Sequence, residues 1–320
     1  TIAVSDTNGQ LMSLITNGHS MSSTHFGAQR YMRAYVHIPM MISPAIKDVM
    51  IMCFGVGNTT NATLLYPQVE RLDIVDLSPD VLEHSKYFEK VNGLPLEDPR
   101  VKVHVNDARQ HLRMTPDDHY DLITGEPPPI AYAGVSSLYS QEFFEIAKSR
   151  LRPGGFLTYW LPIQQVGEAA ALATVAAFAE AFPGALLLDG FRHELMLVGR
   201  KDAPLEFDPA RMRNLIDATP GLRRELRWIS LDQPFEVAAM LTATPPVIQK
   251  AVAGHPPATD DHPVLEYGAW MLGTDRRVPA SLFSLDEMAT WCPTCFEGGL
   301  DEDELADLEG AIEISSAYYK

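Results

Sequence analysis

The alternation of apolar and polar residues changes character twice along this chain of 320 residues. Up to residue 24 the apolar positions fall in short runs, 2–5, 11–15 and 21–23, separated by Asn8-Gly9 and Asn17-Gly18. Both dipeptides tolerate positive φ and close tight hairpins, so this stretch predicts three short antiparallel strands. From residue 47 the runs become continuously apolar and alternate with stretches of helical period. Strands are expected at 49–54, 72–75, 101–105, 122–124 and 156–161, and helices from Asn58 to Leu65, from Ser78-Pro79-Asp80 onward, over 141–151 and over 168–182. The helix over 141–151 is expected to stop at Pro153-Gly154-Gly155, and two more strands, 185–189 and 194–199, follow. Short buried strands alternating with helices imply parallel pairing through crossovers. The fold class expected is therefore α/β: a doubly wound, Rossmann-like sheet over 45–200, a small β domain over 1–44, and a mainly helical extension over 201–320 broken by Pro245-Pro246 and Pro256-Pro257.

Composition narrows the function classes. Net charge is −17, from 42 acids against 25 bases, the wrong sign for neutralising phosphates, so nucleic acid is not an expected partner. No charge-free apolar run reaches the roughly 20 residues a membrane helix needs. No signal peptide is visible, and the start at Thr1 reads as a fragment. Three cysteines do not make a disulfide framework; Cys53 sits in an apolar run, and Cys292-x-x-Cys295 has no second ligand pair for zinc. A reducing, cytoplasmic setting and no metal are expected.

In an open α/β sheet, ligands bind beyond the carboxyl ends of the strands. Four such ends carry polar or glycine residues in order. The first has Gly55 and Gly57 before a helix start at Asn58, where backbone can approach a ligand. The second has Asp76 followed by Leu77, a carboxylate placed to accept both hydroxyls of a ribose. The third has Asp107 and Ala108, with Asp107 able to accept from an adenine amine. The fourth has Glu126, where chemistry would occur. Taken singly, Asp76 and Asp107 would be helix caps and Glu126 an exposed loop acid. The ordered set points to a nucleoside, and the missing third glycine argues against a dinucleotide.

At these residues the chain resembles the spermidine synthase (polyamine aminopropyltransferase) family, a branch of the S-adenosylmethionine-dependent methyltransferase fold. The likeness runs from about Leu14 to Leu161 and includes Asn17-Gly18, His37-Ile38-Pro39, Asp98-Pro99-Arg100-Val101, Tyr120-Asp121-Leu122-Ile123 and Leu138-Tyr139-Ser140-Gln141. Thr259-Asp260-Asp261-His262-Pro263 is similar to a segment of family members joined to a transporter-like membrane region, which would lie outside this chain. The resemblance implies Asp76 on the ribose, Asp107 at the adenine, Glu126 as the catalytic acid with Tyr31 and Tyr139 beside it, and His37 and Trp160 at the substrate. It implies S-adenosylmethionine or its decarboxylated form as co-substrate, a small amine as acceptor, and dimers.

Departures from the family pattern are expected to matter. Where the family's glycine loop has an aspartate that grips the donor's ammonium group, this chain has Val56. The second acid of the catalytic loop is Pro129, and a glutamine expected after the fifth strand is Trp160. With Arg30 and Arg33 near Val56, the donor would tilt toward intact S-adenosylmethionine, since like charges 4 Å apart repel by about 4 kcal/mol at an effective dielectric of 20. Asp260 and Asp261 are candidates to fold over the pocket and replace lost acids. The reading that leads is transfer of an aminopropyl-type group to an amine. Methyl transfer, lysis or cyclisation of the donor, and a non-catalytic nucleoside- or polyamine-sensing domain are the alternatives.

Overall fold

The computed structural model describes residues 1–9, 11–128, 134–192, 194–268, 279–282 and 288–319. Asn8, Gly9, Asn17 and Gly18 all take positive φ, and the two turns fold β1 (Ile2–Thr7), β2 (Leu11–Thr16) and β3 (His19–Ser23) into an antiparallel sheet. Most of its side chains are half-buried or exposed, and Leu14 anchors it in the core.

Between this sheet and the next strand lies a helix the apolar pattern does not announce, α1 (Phe26–Ile42). His25 caps it, its Nδ1 accepting from the Gly27 amide at 3.1 Å. Nearly every residue from Tyr31 on is buried, so no polar stripe marks the helical period. His37-Ile38-Pro39, which reads as an extended approach to the sheet, lies inside this helix. Pro39 has no amide to donate to the Tyr35 carbonyl one turn back, and the Thr158 hydroxyl donates to that carbonyl instead, at 2.9 Å.

The large sheet has eight strands. Its parallel part comprises β4 (Asp48–Met52), β5 (Arg71–Asp76), β6 (Val101–Val105), β7 (Tyr120–Gly125) and β8 (Leu151–Pro162). The crossovers are α2 (Asn58–Leu64), α3 (Pro79–His84) with the short α4 (Glu89–Asn92), α5 (Ala108–Met114) and α6 (Gln141–Arg150); α7 (Glu168–Ala181) leads out of β8. β9 (Leu186–Phe191) and β10 (Glu194–Arg200) add antiparallel, β10 lying between β8 and β9. Strand order reverses between β4 and β7, so the crevice at the switch point opens between the loops after those two strands. β8 starts at Leu151, five residues before the expected Phe156, and runs through Pro153-Gly154-Gly155: tertiary pairing of Gly154 and Gly155 with the Lys201 backbone, at 2.7 and 2.8 Å, carries the strand through them.

Beyond residue 200 come α8 (Pro209–Ala218), α9 (Leu222–Trp228), α10 (Pro234–Ala238), the edge strand β11 (Leu241–Ala243), α11 (Pro245–Val252), α12 (Val264–Gly268), α13 (Met288–Trp291) and α14 (Glu302–Tyr319). β11 was not expected; it pairs with β9, and the Thr242 hydroxyl donates to the Leu187 carbonyl at 2.9 Å. Cys292 and Cys295 are joined by a buried disulfide, although a reducing setting and no disulfide framework were expected. Two apolar cores cover the two faces of the sheet, one under α1 and the C-terminal helices, the other under α6 and α7. Among the described residues no helix is long and apolar enough to cross a membrane.

Candidate active site

A cavity of about 850 Å³ lies between the N-terminal sheet and the carboxyl ends of β4, β5, β7 and β8. Its floor begins where β4 ends. Cys53 takes φ +66°, Gly55 +58° and Gly57 +84°, so the chain turns sharply instead of continuing as strand. A Cβ on Gly57 would stand 2.8 Å from the Phe54 ring, and only glycine fits there. The turn points backbone into the cavity at Gly55, opposite Ser22 of β3.

Asp76 stands at the end of β5. Its two oxygens accept the amides of Phe54 and Ser78, each at 2.8 Å, which locks the carboxylate to the glycine loop. A carboxylate has about four acceptor sites, so two remain for vicinal hydroxyls. Burial raises its pKa, the two amide hydrogen bonds opposing that effect. Leu77 follows with its side chain 73% exposed, an apolar surface at the cavity wall on which a flat base can lie.

Glu126 follows β7 at the switch point. The Tyr31 hydroxyl donates to its Oε1. Across the cavity the Trp160 indole donates to Glu194 Oε2 at 2.6 Å. Removal from bulk water pushes the Glu126 carboxyl well above the usual range; Tyr31 pulls it down and the Glu194 charge pushes it further up. Burial and the same two carboxylates raise the Tyr31 phenol, which therefore stays protonated and donates. The site thus holds two facing carboxylates, one of them basic for its type, with a phenol fixing its orientation.

Not every expected residue meets there. Tyr139 is fully buried behind Glu126, its ring edge-on to Tyr159, and its hydroxyl has no hydrogen-bond partner among the described residues. Asp107 caps α5 through the Gln110 amide at 2.8 Å and, like Ala108, is outside the cavity lining. Asn58 is buried against Gln29, whose Nε2 donates to it at 2.9 Å, and ties α2 to α1. His37 is on the face of α1 turned away from Tyr31 and lies outside the cavity, with its Nδ1 2.8 Å from the Tyr66 hydroxyl. Asp260 and Asp261 do not fold over the cavity: Asp260 accepts both Arg109 terminal nitrogens and the Ser140 hydroxyl beside a separate recess of about 230 Å³, and Asp261 is exposed. Pro129 lies outside the described residues.

Arg30 and Arg33 do not supply the expected cationic grip on a donor carboxylate. Val56 is 1% exposed and packs into the core. Arg30 donates to the carbonyls of Gly190, Ile229 and Ser230, and Arg33 to Gln29, Asn61, Val91 and Glu225. Both guanidiniums are consumed by the junction of α1 with the C-terminal helices. Sequence reasoning missed Glu194; its only signal is a position at the head of a strand, and antiparallel pairing with Pro162 is what brings it beside Trp160.

Residues 28–161 match the model of the spermine/spermidine synthase domain. Putrescine N-methyltransferase 2 of Nicotiana attenuata is 31% identical over 143 residues, 44% of this chain and 38% of that protein. A spermidine synthase of Coffea arabica is 32% identical over 126 residues, 39% of this chain and 39% of that protein. The chain spans less than half the length of the curated relatives it matches. Among solved structures, a spermidine synthase from Thermotoga maritima superposes with a TM-score of 0.56 at 18% identity, over 76% of this chain and 80% of that one. A spermidine synthase in complex with the transition state analogue AdoDATO gives 0.60 at 19%, over 76% and 81%. The fold is that of the spermidine synthases, and the matched segment resembles their family in sequence.

Proposed function

We propose that this protein is an alkyltransferase that moves an aminopropyl-type group from the sulfonium of decarboxylated S-adenosylmethionine to a small primary amine. The observation that carries this reading is the pairing of Tyr31 with a basic Glu126, facing Glu194, at the switch point above Asp76. Two carboxylates in one cavity suit a cationic amine better than any anionic acceptor. Arg30 and Arg33 are engaged elsewhere and do not line the cavity, whereas Arg192 does.

In this mechanism Asp76 holds the ribose hydroxyls and Leu77 the base. Glu126 takes a proton from the acceptor ammonium, helped by its raised pKa, since a base works best when its pKa lies near the working pH. The freed nitrogen lone pair attacks the carbon next to sulfur, a C–N bond forms, and the C–S pair returns to sulfur as a neutral thioether. Alignment of nitrogen, carbon and sulfur supplies much of the rate. The product nitrogen keeps its two protons as a secondary ammonium, and the proton taken by Glu126 leaves to solvent, which restores the base. Methyl transfer from intact S-adenosylmethionine is the second reading, favoured by the likeness to putrescine N-methyltransferases. Incubation with each donor, with and without putrescine, separates them: methylthioadenosine that forms only with the amine supports the proposal, S-adenosylhomocysteine supports the second reading, and no nucleoside product overturns both.

A further inference from the structure

Away from the cavity, β5, β6 and α5 bring three metal-binding side chains together. Asp73 points from β5, His104 from β6 and His111 from α5, and one ligand atom of each lies within 4.8 Å of the others. We propose that Asp73, His104 and His111 form a binding site for a divalent transition-metal ion of the zinc class. The set was not foreseen, because its members come from separate elements and the sequence reading weighed only Cys292 and Cys295 as metal ligands.

The metal-free network is held by protons in the positions a metal would take. His104 Nε2 is 2.9 Å from Asp73 Oδ1. The Tyr120 hydroxyl donates to Asp73 Oδ2 at 2.9 Å, so its oxygen is left to accept from His111 Nε2 at 3.2 Å. The two imidazole rings lie 4.6 Å apart, centroid to centroid. Ligands about 2.1 Å from a tetrahedral zinc are roughly 3.4 Å from one another, so small side-chain rotations close the set on one ion. A neutral imidazole can move its proton to Nδ1 and present the Nε2 lone pair. His104 is partly open to solvent, its side chain 23% exposed, and provides the way in.

Two imidazole nitrogens and one carboxylate oxygen suit a borderline cation and leave a position open for water; magnesium and calcium prefer all-oxygen shells. The surroundings temper affinity. Arg71 Nε is 3.7 Å from Asp73 and its charge opposes a cation, although Asp48, at 3.3 Å, shares that guanidinium. The site also has a definite place in the fold: Asp73 and His104 lie on the two strands that lead to Asp76 and Asp107, so an ion would clamp β5 to β6 and α5.

Calorimetric titration of the whole chain with zinc chloride in a non-chelating buffer tests the site. We expect one zinc per chain, no response to magnesium, and at least a ten-fold loss of affinity in His104→Gln and in His111→Asn, with His255→Ala unchanged. In the wild-type chain, where no variant has to fold, zinc should shift the ring resonances of His104 and His111 together and leave those of His255 in place. Absence of stoichiometric zinc binding, or a site whose affinity both variants retain, or resonance shifts confined to other histidines, overturns the proposal.

Discussion

Two glutamates touched by the same helix show how one residue type is turned to opposite ends. Tyr31 of α1 donates to Glu126, and two residues further Arg33 donates to Glu225 of α9. Burial pushes both carboxyls up. At Glu225 it is overcome by His37 and the Arg33 charge, so the pKa falls below its ordinary value. At Glu126 a neutral phenol cannot compensate and Glu194 adds repulsion, so the pKa rises. One carboxylate is neutralised and joins the C-terminal helices to the sheet; the other is left uncompensated against a cavity. A strained charge beside empty space is the mark of a working site, whereas a paired one marks a joint.

The widest gap between the two should come from Glu126→Gln. Transfer should fall by roughly 100- to 10,000-fold, the usual weight of a general base, measured as nucleoside released. The same variant should melt higher at neutral pH, by about 0.5–2 kcal/mol, because it removes an uncompensated charge. A variant that melts lower and transfers at the wild-type rate would erase the contrast.

Breaking the joint should cost stability instead. Arg33→Met leaves the buried Glu225 with His37 as its remaining partner and should destabilise by about 3–5 kcal/mol in chemical denaturation, with much of that recovered in the double variant Arg33→Met, Glu225→Gln. If the double variant is no better than the single one, the pair is not what holds the helices.

A smaller effect is expected from Tyr31→Phe. Losing the phenol removes the one hydrogen bond that lowers the Glu126 pKa, so the rise of rate with pH should move to higher pH. Transfer at neutral pH should drop by about ten-fold, in line with a general base less often deprotonated. An unshifted pH profile would mean that Tyr31 does not set the basicity of Glu126.

The subtlest comparison is stability against pH. Glu225, with a folded pKa below its unfolded one, stabilises above the unfolded value, and that contribution is lost as pH falls through the folded pKa. Glu126, with a raised folded pKa, contributes most below the unfolded value and loses it as pH rises through the folded pKa. Melting curves between pH 2 and 8 should therefore lose their acid slope in Glu225→Gln and flatten on the neutral side in Glu126→Gln.

Much of the site was legible because it is local to strand ends. Gly55, Asp76 and Glu126 each close an apolar run and line the crevice at the strand ends, whereas Asp107, which closes another, turns aside to cap α5. The helix α1 was not legible, since burial all round erases the periodicity by which a helix is recognised, and Pro39 reads as a break. His37, Val56, Arg30 and Arg33 stand near site positions in the sequence yet point into packing, because helical phase and the C-terminal helices decide which way they face. β11 and the path of β8 through Pro153 depended on partners far along the chain.

By itself the amino-acid sequence determined the alternation of buried strands and crossovers, hence the sheet, its switch point and the acids at its rim. Which acids stay charged and which become basic, and that Glu194 joins Trp160 at the cavity, was decided by tertiary structure alone. The physical reason is range: hydrophobic period and turn chemistry act over a few residues, whereas desolvation, ion pairing and antiparallel neighbours depend on what the folded chain brings within a few ångströms.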